Sequence, residues 1–532
     1  MNDLTIIQAS QGLCAYVLAN VSAASDRGIV IGHDHRHNSE KWAMITAAVF
    51  MAQNMKVHLL AGQVHTPMVP FSLKRLRAAC GVMITASHNQ KDDNGYKVYW
   101  ENGVQIIEPH DKGIARTIEA NLEPGSYDIS AISTSSLCTD VTQKMREDYL
   151  QYVKALSCQD SESQKAEIRV VNTSMHGVSH AILTKVFESL GFPAYIPVKE
   201  QEAPNPDFPT VNFPNPEEKG ALDLAMKLGD EVGVSYVLAQ DPDADRFAAA
   251  EKQRDGKWTP FTGDQLGTLF AAAVLEQYKS SGKPLSKLAM VASTVSSKMI
   301  AAMAASEGFR FVDCLTGFKY IGNTALTLVS DGYEVPFGYE EAIGFMFGDE
   351  VRDKDGVAAT IVFMDLINSL HAQGKTASSY LQELYQRYGY FQTSNSYFIC
   401  TEAPTINKIF ARLRNFGGRN TTGNPDYPKE IAGLSIIQIR DLTVGYDSSN
   451  PPTYKPTLPL SSGHMIQFKA ESPAKDEEIF LTLRTSGTEP KIKYYLEGRG
   501  HDASKVSGLL ARVVAELGDS WLQADSNGLG RP

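Results

Sequence analysis

Three times in this 532-residue chain a short, wholly apolar run breaks abruptly into small, polar or charged residues: 82–84 into Thr85, Ala86 and Ser87; 236–239 into Gln240 and Asp241; 289–292 into Ser293 and Thr294. Runs of this kind, without polar alternation, read as strands buried on both faces. The polar break then falls at the strand's carboxyl end, where open α/β sheets gather their ligands. The three stretches share little sequence, yet together they point to repeated α/β units with the chemistry at strand ends. Length adds that three or four domains are expected.

Composition is that of an ordinary globular protein, 43% hydrophobic and 21% charged, which excludes a disordered or membrane class. No apolar run of about 18 residues occurs, and the N-terminus lacks a basic-then-apolar signal. The net charge of −11 argues against a general nucleic-acid binder. Cys14, Cys80, Cys138, Cys158, Cys314 and Cys400 include no CxxC pair and read as free thiols in a reducing, cytoplasmic compartment. Nothing in the sequence calls for a membrane or an obligate protein partner.

Ser87 is the candidate nucleophile. It lacks the Gly-x-Ser-x-Gly elbow of a hydrolase, so the better use of its hydroxyl is to carry a phosphoryl group. Asp241, Asp243 and Asp245 stand at alternate positions of Asp241-Pro-Asp-Ala-Asp-Arg246, with hard oxygens and no nearby His or Cys. That donor set favours Mg²⁺. An EF-hand is excluded, because Arg246 occupies the sixth position where that loop needs glycine. A phosphoserine brings about −1.5 to −2 charges. With three aspartates and one Mg²⁺ the local total is roughly −3, and a dianionic substrate then needs cations, of which Lys97, Arg246, Lys319, Lys354, Arg484 and Lys493 are at hand.

In order along the chain, Thr85-Ala-Ser-His-Asn89, Asp241-Pro-Asp-Ala-Asp-Arg246, Gly338-Tyr-Glu-Glu-Ala-Ile-Gly344 and Arg484-Thr-Ser-Gly-Thr-Glu-Pro490 resemble the four active-site loops of the α-D-phosphohexomutases. The chain is most similar to the phosphoglucomutase-2 group, which includes phosphopentomutases and glucose-1,6-bisphosphate synthases. The resemblance implies an α/β fold of four domains around a central cleft: three similar α/β units (1–157, 158–268, 269–392) and a C-terminal α+β phosphate-binding domain (393–532). It further implies that Ser87 carries the phosphoryl group and, with Asp241, Asp243 and Asp245, holds one Mg²⁺. His88 and Lys97 are then candidates for proton transfer or phosphate contact, and Lys354 is a catalytic candidate near the reacting hydroxyl. Arg246, Thr316, Gly317, Lys319, Glu340, Arg484, Ser486, Gly487, Thr488 and Lys493 are candidates for binding the phosphosugar. A sugar bisphosphate serves as activator.

The reaction so implied interconverts ribose or deoxyribose 1-phosphate and 5-phosphate, with glucose 1-phosphate and 6-phosphate secondary. Ala342 stands where many family members have a serine two residues after the sugar-binding glutamate, and the lost hydrogen bond disfavours glucose phosphate. Two rivals remain. One is a glucose-1,6-bisphosphate synthase. The other is a sugar-phosphate-binding paralogue without turnover, motivated by the lack of the family's upstream Gly-Thr-Ala-Gly-Leu-Arg type loop.

Local expectations complete the reading. A helix spans 1–20, capped by Asn2 or Asp3, and Ser39 caps a helix to Gln53. His33, His35 and His37 alternate, a spacing that could attract a metal, but read rather as surface histidines of a loop, in which Asp34 and Arg36 either fix the turn or meet substrate. Residues 97–100 and 104–107 form a hairpin across Asn102-Gly103. A strand covers 168–171, and Gly191 ends a helix from Val178 to Leu190. Thr316-Gly317-Phe318-Lys319 heads a helix, an anion-binding arrangement. Lys354 is either a turn lysine at the surface or, by the resemblance, near the reacting hydroxyl.

Overall fold

The computed structural model describes residues 1–157, 167–418, 425–486 and 490–531. The first sheet has the order β4-β3-β1-β2-β5, built from β1 (Ile29–His33), β2 (Val57–Gln63), β3 (Cys80–Ile84), β4 (Tyr96–Trp100) and β5 (Cys138–Asp140). All neighbours are parallel except β3 and β4. β1 and β3 are buried along their whole length, as two-sided apolar runs require. Helices Asp3–Asn20 and Ser39–Ala52 supply the core against them, with Leu13, Val17, Trp42 and Phe50 packed among Ile29, Ile31, Val82 and Ile84.

Asn2 caps the first helix, closing a capping box with Thr5. Ser39 does not cap the second. Asn38 holds the cap position in a left-handed conformation, while the Ser39 hydroxyl donates to the Asp34 carboxylate at 2.6 Å. A buried acceptor competes successfully for the hydroxyl that a helix N-terminus would otherwise use. The hairpin after β4 shortens to a single bridge, Tyr99 to Gln105, while β4 pairs along its length with β3.

The second sheet, ordered β10-β9-β8-β6-β7, contains β6 (Val171–Thr173), β7 (Ile196–Pro197), β8 (Tyr236–Ala239), β9 (Ala248–Lys252) and β10 (Trp258–Pro260). β6 begins three residues later than the apolar run suggests and ends at the turn before helix Ser179–Leu190. Gly191 closes that helix at φ 71°. The third sheet, ordered β12-β11-β13-β14, comprises β11 (Leu288–Ser293), β12 (Arg310–Cys314), β13 (Glu334–Glu340) and β14 (Gly344–Phe347). Helix Gly263–Ser280 starts from a Thr262–Gln265 capping box, and helix Phe318–Ser330 covers the sheet with Ile321, Ala325 and Leu328.

A fourth, eight-stranded sheet follows: β15 (Tyr390–Thr393), β16 (Ser396–Ile399), β17 (Glu430–Ile431), β18 (Leu434–Asp441), β19 (Tyr446–Asp447), β20 (Met465–Glu471), β21 (Glu478–Thr485) and β22 (Lys491–Gly500). Its strands are antiparallel, and alternation along β21 sends Ile479, Leu481 and Leu483 into a core closed by helices Ala403–Leu413 and Ala503–Glu516. Contacts divide the chain into two compact units, Met1–Ser293 with Glu307–Leu381, and Thr294–Ser306 with Gln382–Pro532. The first three sheets lie in the former and the fourth in the latter. Among the described residues no helix is long and apolar enough to cross a membrane.

Candidate active site

Ser87 stands just past the end of β3, in a left-handed conformation (φ 53°) that a non-glycine residue adopts only when its surroundings hold it there. The holding group is Arg36. Its guanidinium donates to the carbonyl oxygens of Ser87 (2.7 Å), Asn89 (2.6 Å), Gln90 (2.7 Å) and Asp93 (3.3 Å). Asp34 pairs with Arg36 at 3.4 Å, both side chains fully buried, and Phe208 lies under the guanidinium. Of the two readings of Arg36, turn-fixing is the one the geometry shows, and the turn fixed is the serine loop itself. The Thr85 hydroxyl completes the turn by accepting from the Ser87 N–H at 2.9 Å.

The neighbouring histidines depart from expectation. His33 and His35 are buried, at 2% and 6% exposure, because the loop tucks under the 204–216 segment, whose Phe208 meets His35 edge-on. Only His37 is at the surface, paired with Asp207.

The acidic loop after β8 meets this serine. Ser87 Oγ donates to Asp241 Oδ2 at 3.0 Å, and Asp241, Asp243 and Asp245 are fully buried with oxygens within 4.8 Å of one another. Two glycines make the close packing possible. A Cβ on Gly177 would lie 2.4 Å from the Pro242 Cα, and one on Gly356 would lie 2.3 Å from the Arg246 carbonyl.

Three like charges at this spacing require cations. Lys97 Nζ lies 2.7 Å from Asp243 and 2.9 Å from Asp245, and Lys354 Nζ lies 3.1 Å from Asp245 and 3.2 Å from Asp353. Lys354 is therefore not a surface turn lysine. Thr66 Oγ1 donates to Asp243, and Asp353 is fixed in turn by Tyr99 OH and Gln105 Nε2 at 2.8 and 2.7 Å. Arg246 returns its backbone N–H to Asp241 at 2.9 Å. Thr66, Asp353, Tyr99 and Gln105 carried no local pattern that singled them out. Their partners lie far away in sequence.

Burial, reinforced by Asp243 and Asp245, holds the Asp241 carboxyl well above the usual range. Burial would raise Asp243 too, but the Lys97 ammonium and the Thr66 hydroxyl outweigh it and the carboxyl is lowered. Burial disfavours the charged Lys97, yet Asp243, Asp245 and Asp353 keep its pKa above the ordinary lysine value. His88 Nδ1 lies 3.4 Å from Ser87 Oγ, and burial together with the Arg246 charge lowers its pKa to about 2, so the ring is neutral. As to metal, the donor set is three buried carboxylates, and Asp243 Oδ1 and Asp245 Oδ1 are buried without a hydrogen-bond partner. Such hard, partly orphaned oxygens fit a divalent cation.

Glu340 ends β13, on the turn into β14, and Arg246 forms a bridge to Gly344 at the start of β14. Gly317 takes φ 111° at the head of helix Phe318–Ser330, with the buried Thr316 Oγ1 unpartnered beside it. Lys319 Nζ lies 5.2 Å from the Tyr320 ring. In the other unit, Arg484 donates to Tyr495 OH at 2.8 Å and faces Lys493 across the strand pair, and the Ser486 N–H donates to the Lys491 carbonyl. Gly487 and Thr488 lie outside the described residues.

Serial α/β units that bring a serine loop onto an acidic loop define a phosphoryl-transfer class of protein. The chain matches the phosphoglucomutase/phosphomannomutase α/β/α domains I, II and III over residues 1–124, 147–256 and 262–388, and it belongs to that family, the α-D-phosphohexomutases. A Schizosaccharomyces pombe protein named probable phosphoribomutase is 44% identical over all of this chain and 89% of its own length. Human phosphopentomutase is 44% identical over 93% of this chain and 82% of its own, and human glucose 1,6-bisphosphate synthase 42% over 99% and 86%. Among solved structures, the open form of the phosphoglucomutase parafusin from Paramecium has the same fold, with a TM-score of 0.68 at 17% identity over 98% of this chain and 93% of that one.

Proposed function

We propose that this protein is a phosphosugar mutase that interconverts the 1-phosphate and 5-phosphate of ribose or deoxyribose, and glucose 1-phosphate and 6-phosphate less readily. The observation that carries the reading is Ser87 Oγ 3.0 Å from Asp241 within the buried triad. Relatives named phosphoribomutase and phosphopentomutase, and Ala342 in place of a serine on the sugar loop, favour the pentose.

In this reading Ser87 carries the phosphoryl group. The P–O bond to Ser87 Oγ breaks as one forms to a sugar hydroxyl, whose proton replaces the phosphoryl group on the serine. The resulting bisphosphate then returns its other phosphoryl group by the reverse step. Asp241, Asp243, Asp245 and the Ser87 oxygen would hold Mg²⁺, which when bound supplies counter-charge to the phosphoryl group. Lys97 is held cationic and donates to phosphoryl oxygens rather than accepting a proton. Neutral His88 orients the serine oxygen, and Lys354, kept charged by Asp245 and Asp353, faces the reacting hydroxyl. Glu340 accepts from sugar hydroxyls, while Arg246, Thr316, Gly317 and Lys319 line the sugar-phosphate path. Arg484, Ser486, Gly487, Thr488 and Lys493 hold the phosphate that is not being transferred. Sugar bisphosphate primes Ser87. We place the enzyme in the cytoplasm, since Cys14, Cys80, Cys138 and Cys400 form no disulfide among the described residues.

A second reading, a sugar 1,6-bisphosphate synthase with the same phosphoserine and a different donor, is favoured by the 42% identity to proteins so named. Intact-mass analysis after incubation with Mg²⁺ and a sugar bisphosphate tests both. One phosphoryl group on Ser87 is expected, with added ribose 1-phosphate converted to ribose 5-phosphate while Ser87 is rephosphorylated by the bisphosphate in each turnover. Discharge that stops at a released bisphosphate identifies the synthase, and an unmodified Ser87 rejects the carrier mechanism.

A further inference from the structure

The fourth sheet uses its second face unevenly. Away from the helix-covered core, β21 presents Glu478, Phe480, Thr482 and Arg484 in a row, and register sets Lys469 opposite Phe480 and Arg499 opposite Glu478. Midway along, the segment Thr294–Ser306 crosses the row, with Gln467 donating to Thr294 and the Lys298 N–H donating to Glu497. Arg484 lies at one end of β21. At the other end, six residues and roughly 20 Å of strand away, is a cavity of about 530 Å³.

Four cations line it, Lys298, Arg387, Lys469 and Arg499, against one acid, Glu478. Glu478 pairs with Lys469 at 2.8 Å and with Arg499, while Phe480 and Phe391 lie beside those two cations at 5.1 and 5.4 Å. Lys469 and Arg499 are thereby held in place, and the lining as a whole has three more cationic than acidic side chains. The room comes from helix Met299–Glu307. It buries Met299, Ile300 and Met303 and turns Ala301, Ala302 and Ala305 toward the cavity, where any larger side chain would fill it.

We propose that this cavity is a second phosphate-ester site, distinct from the phosphate loop at the other end of the same strands, for a small phosphorylated metabolite. Two guanidinium and two ammonium groups on one concavity suit a dianionic phosphate better than a single carboxylate. The inference stands apart from the mutase reading, which the state of Ser87 decides.

Equilibrium binding to the full chain tests it, with ATP, ribose 5-phosphate and inorganic phosphate as separate probes. Wild type is expected to bind at least one of them at a site that Ala302→Phe removes and Lys298→Glu/Arg387→Glu weakens at least tenfold, with phosphosugar turnover unchanged in the absence of added effector. Preference for ATP identifies a nucleotide site, preference for ribose 5-phosphate a sugar-phosphate site, and equal affinity for inorganic phosphate a site that reads the phosphate alone. Stoichiometry and affinity for all three probes identical in wild type and both variants would overturn the proposal.

Discussion

At the scale of single residues, position matters more than chemistry. Ser87→Ala is expected to leave the fold intact and lower turnover by about 10³-fold or more, measured with ribose 1-phosphate alongside a thermal melt. Arg36 offers a sharper case. Arg36→Ala strands the buried Asp34 and frees four carbonyls, so a loss of about 3 kcal/mol is expected in denaturant melts, together with a fall in kcat. A variant with unchanged kcat would show that the serine loop holds itself. His35 gives a pH prediction. Burial lowers its pKa from 6.5 to about 4, against the smaller opposing pull of Asp34. The unfolded chain therefore binds a proton below pH 6.5 that the folded chain refuses down to about pH 4. Stability is intact above that window and falls by up to about 1.4 kcal/mol per pH unit within it. The acid limb of the stability curve should flatten in His35→Gln, and a resonance assigned to the His35 ring that titrates near 6.5 in the folded protein would contradict this. Ser87 and the three aspartates were legible in sequence because each set lies within one short loop. Thr66 and Asp353 were not, since a threonine after a histidine and an aspartate before a lysine mean nothing until folding sets them beside Asp243 and Lys354.

At the scale of elements, the apolar runs located the strands that carry the site, and their edges were less visible. β3 and β8 sit where the runs place them, because burial on both faces leaves no polar residue within the strand. β6 starts late, and Ser39 gave up a capping role to a buried carboxylate, both outcomes set by tertiary partners that local pattern does not encode. The turn after β6 makes its own prediction. Gly177 lies so close to Pro242 that Gly177→Ala must displace one of the two loops, at a cost of about 2 kcal/mol, and the displaced element is the acidic loop. Weaker Mg²⁺ binding by calorimetry, beyond what lost stability explains, is the expected result. Unchanged affinity would mean that the loop gives way elsewhere.

For the whole molecule, the triad lies in one unit and the eight-stranded sheet in the other. A cation bound by the triad at a hundredfold excess over its Kd adds about 2.7 kcal/mol to the unit that holds it. Calorimetry with and without chelator should therefore move the melting of Met1–Ser293 with Glu307–Leu381 and leave the other transition in place. Equal shifts in both would show that the two melt as one. The same division bears on how the chain is made. Thr294–Ser306 leaves the ribosome well before β20, β21 and β22, the strands on which it comes to rest. Until those strands are synthesised, Thr294 lacks its Gln467 partner and the Lys298 N–H its Glu497 carboxylate. This stretch is where a nascent chain of this kind most needs a chaperone, and a fragment begun at Gln382 would be born without one wall of its own sheet.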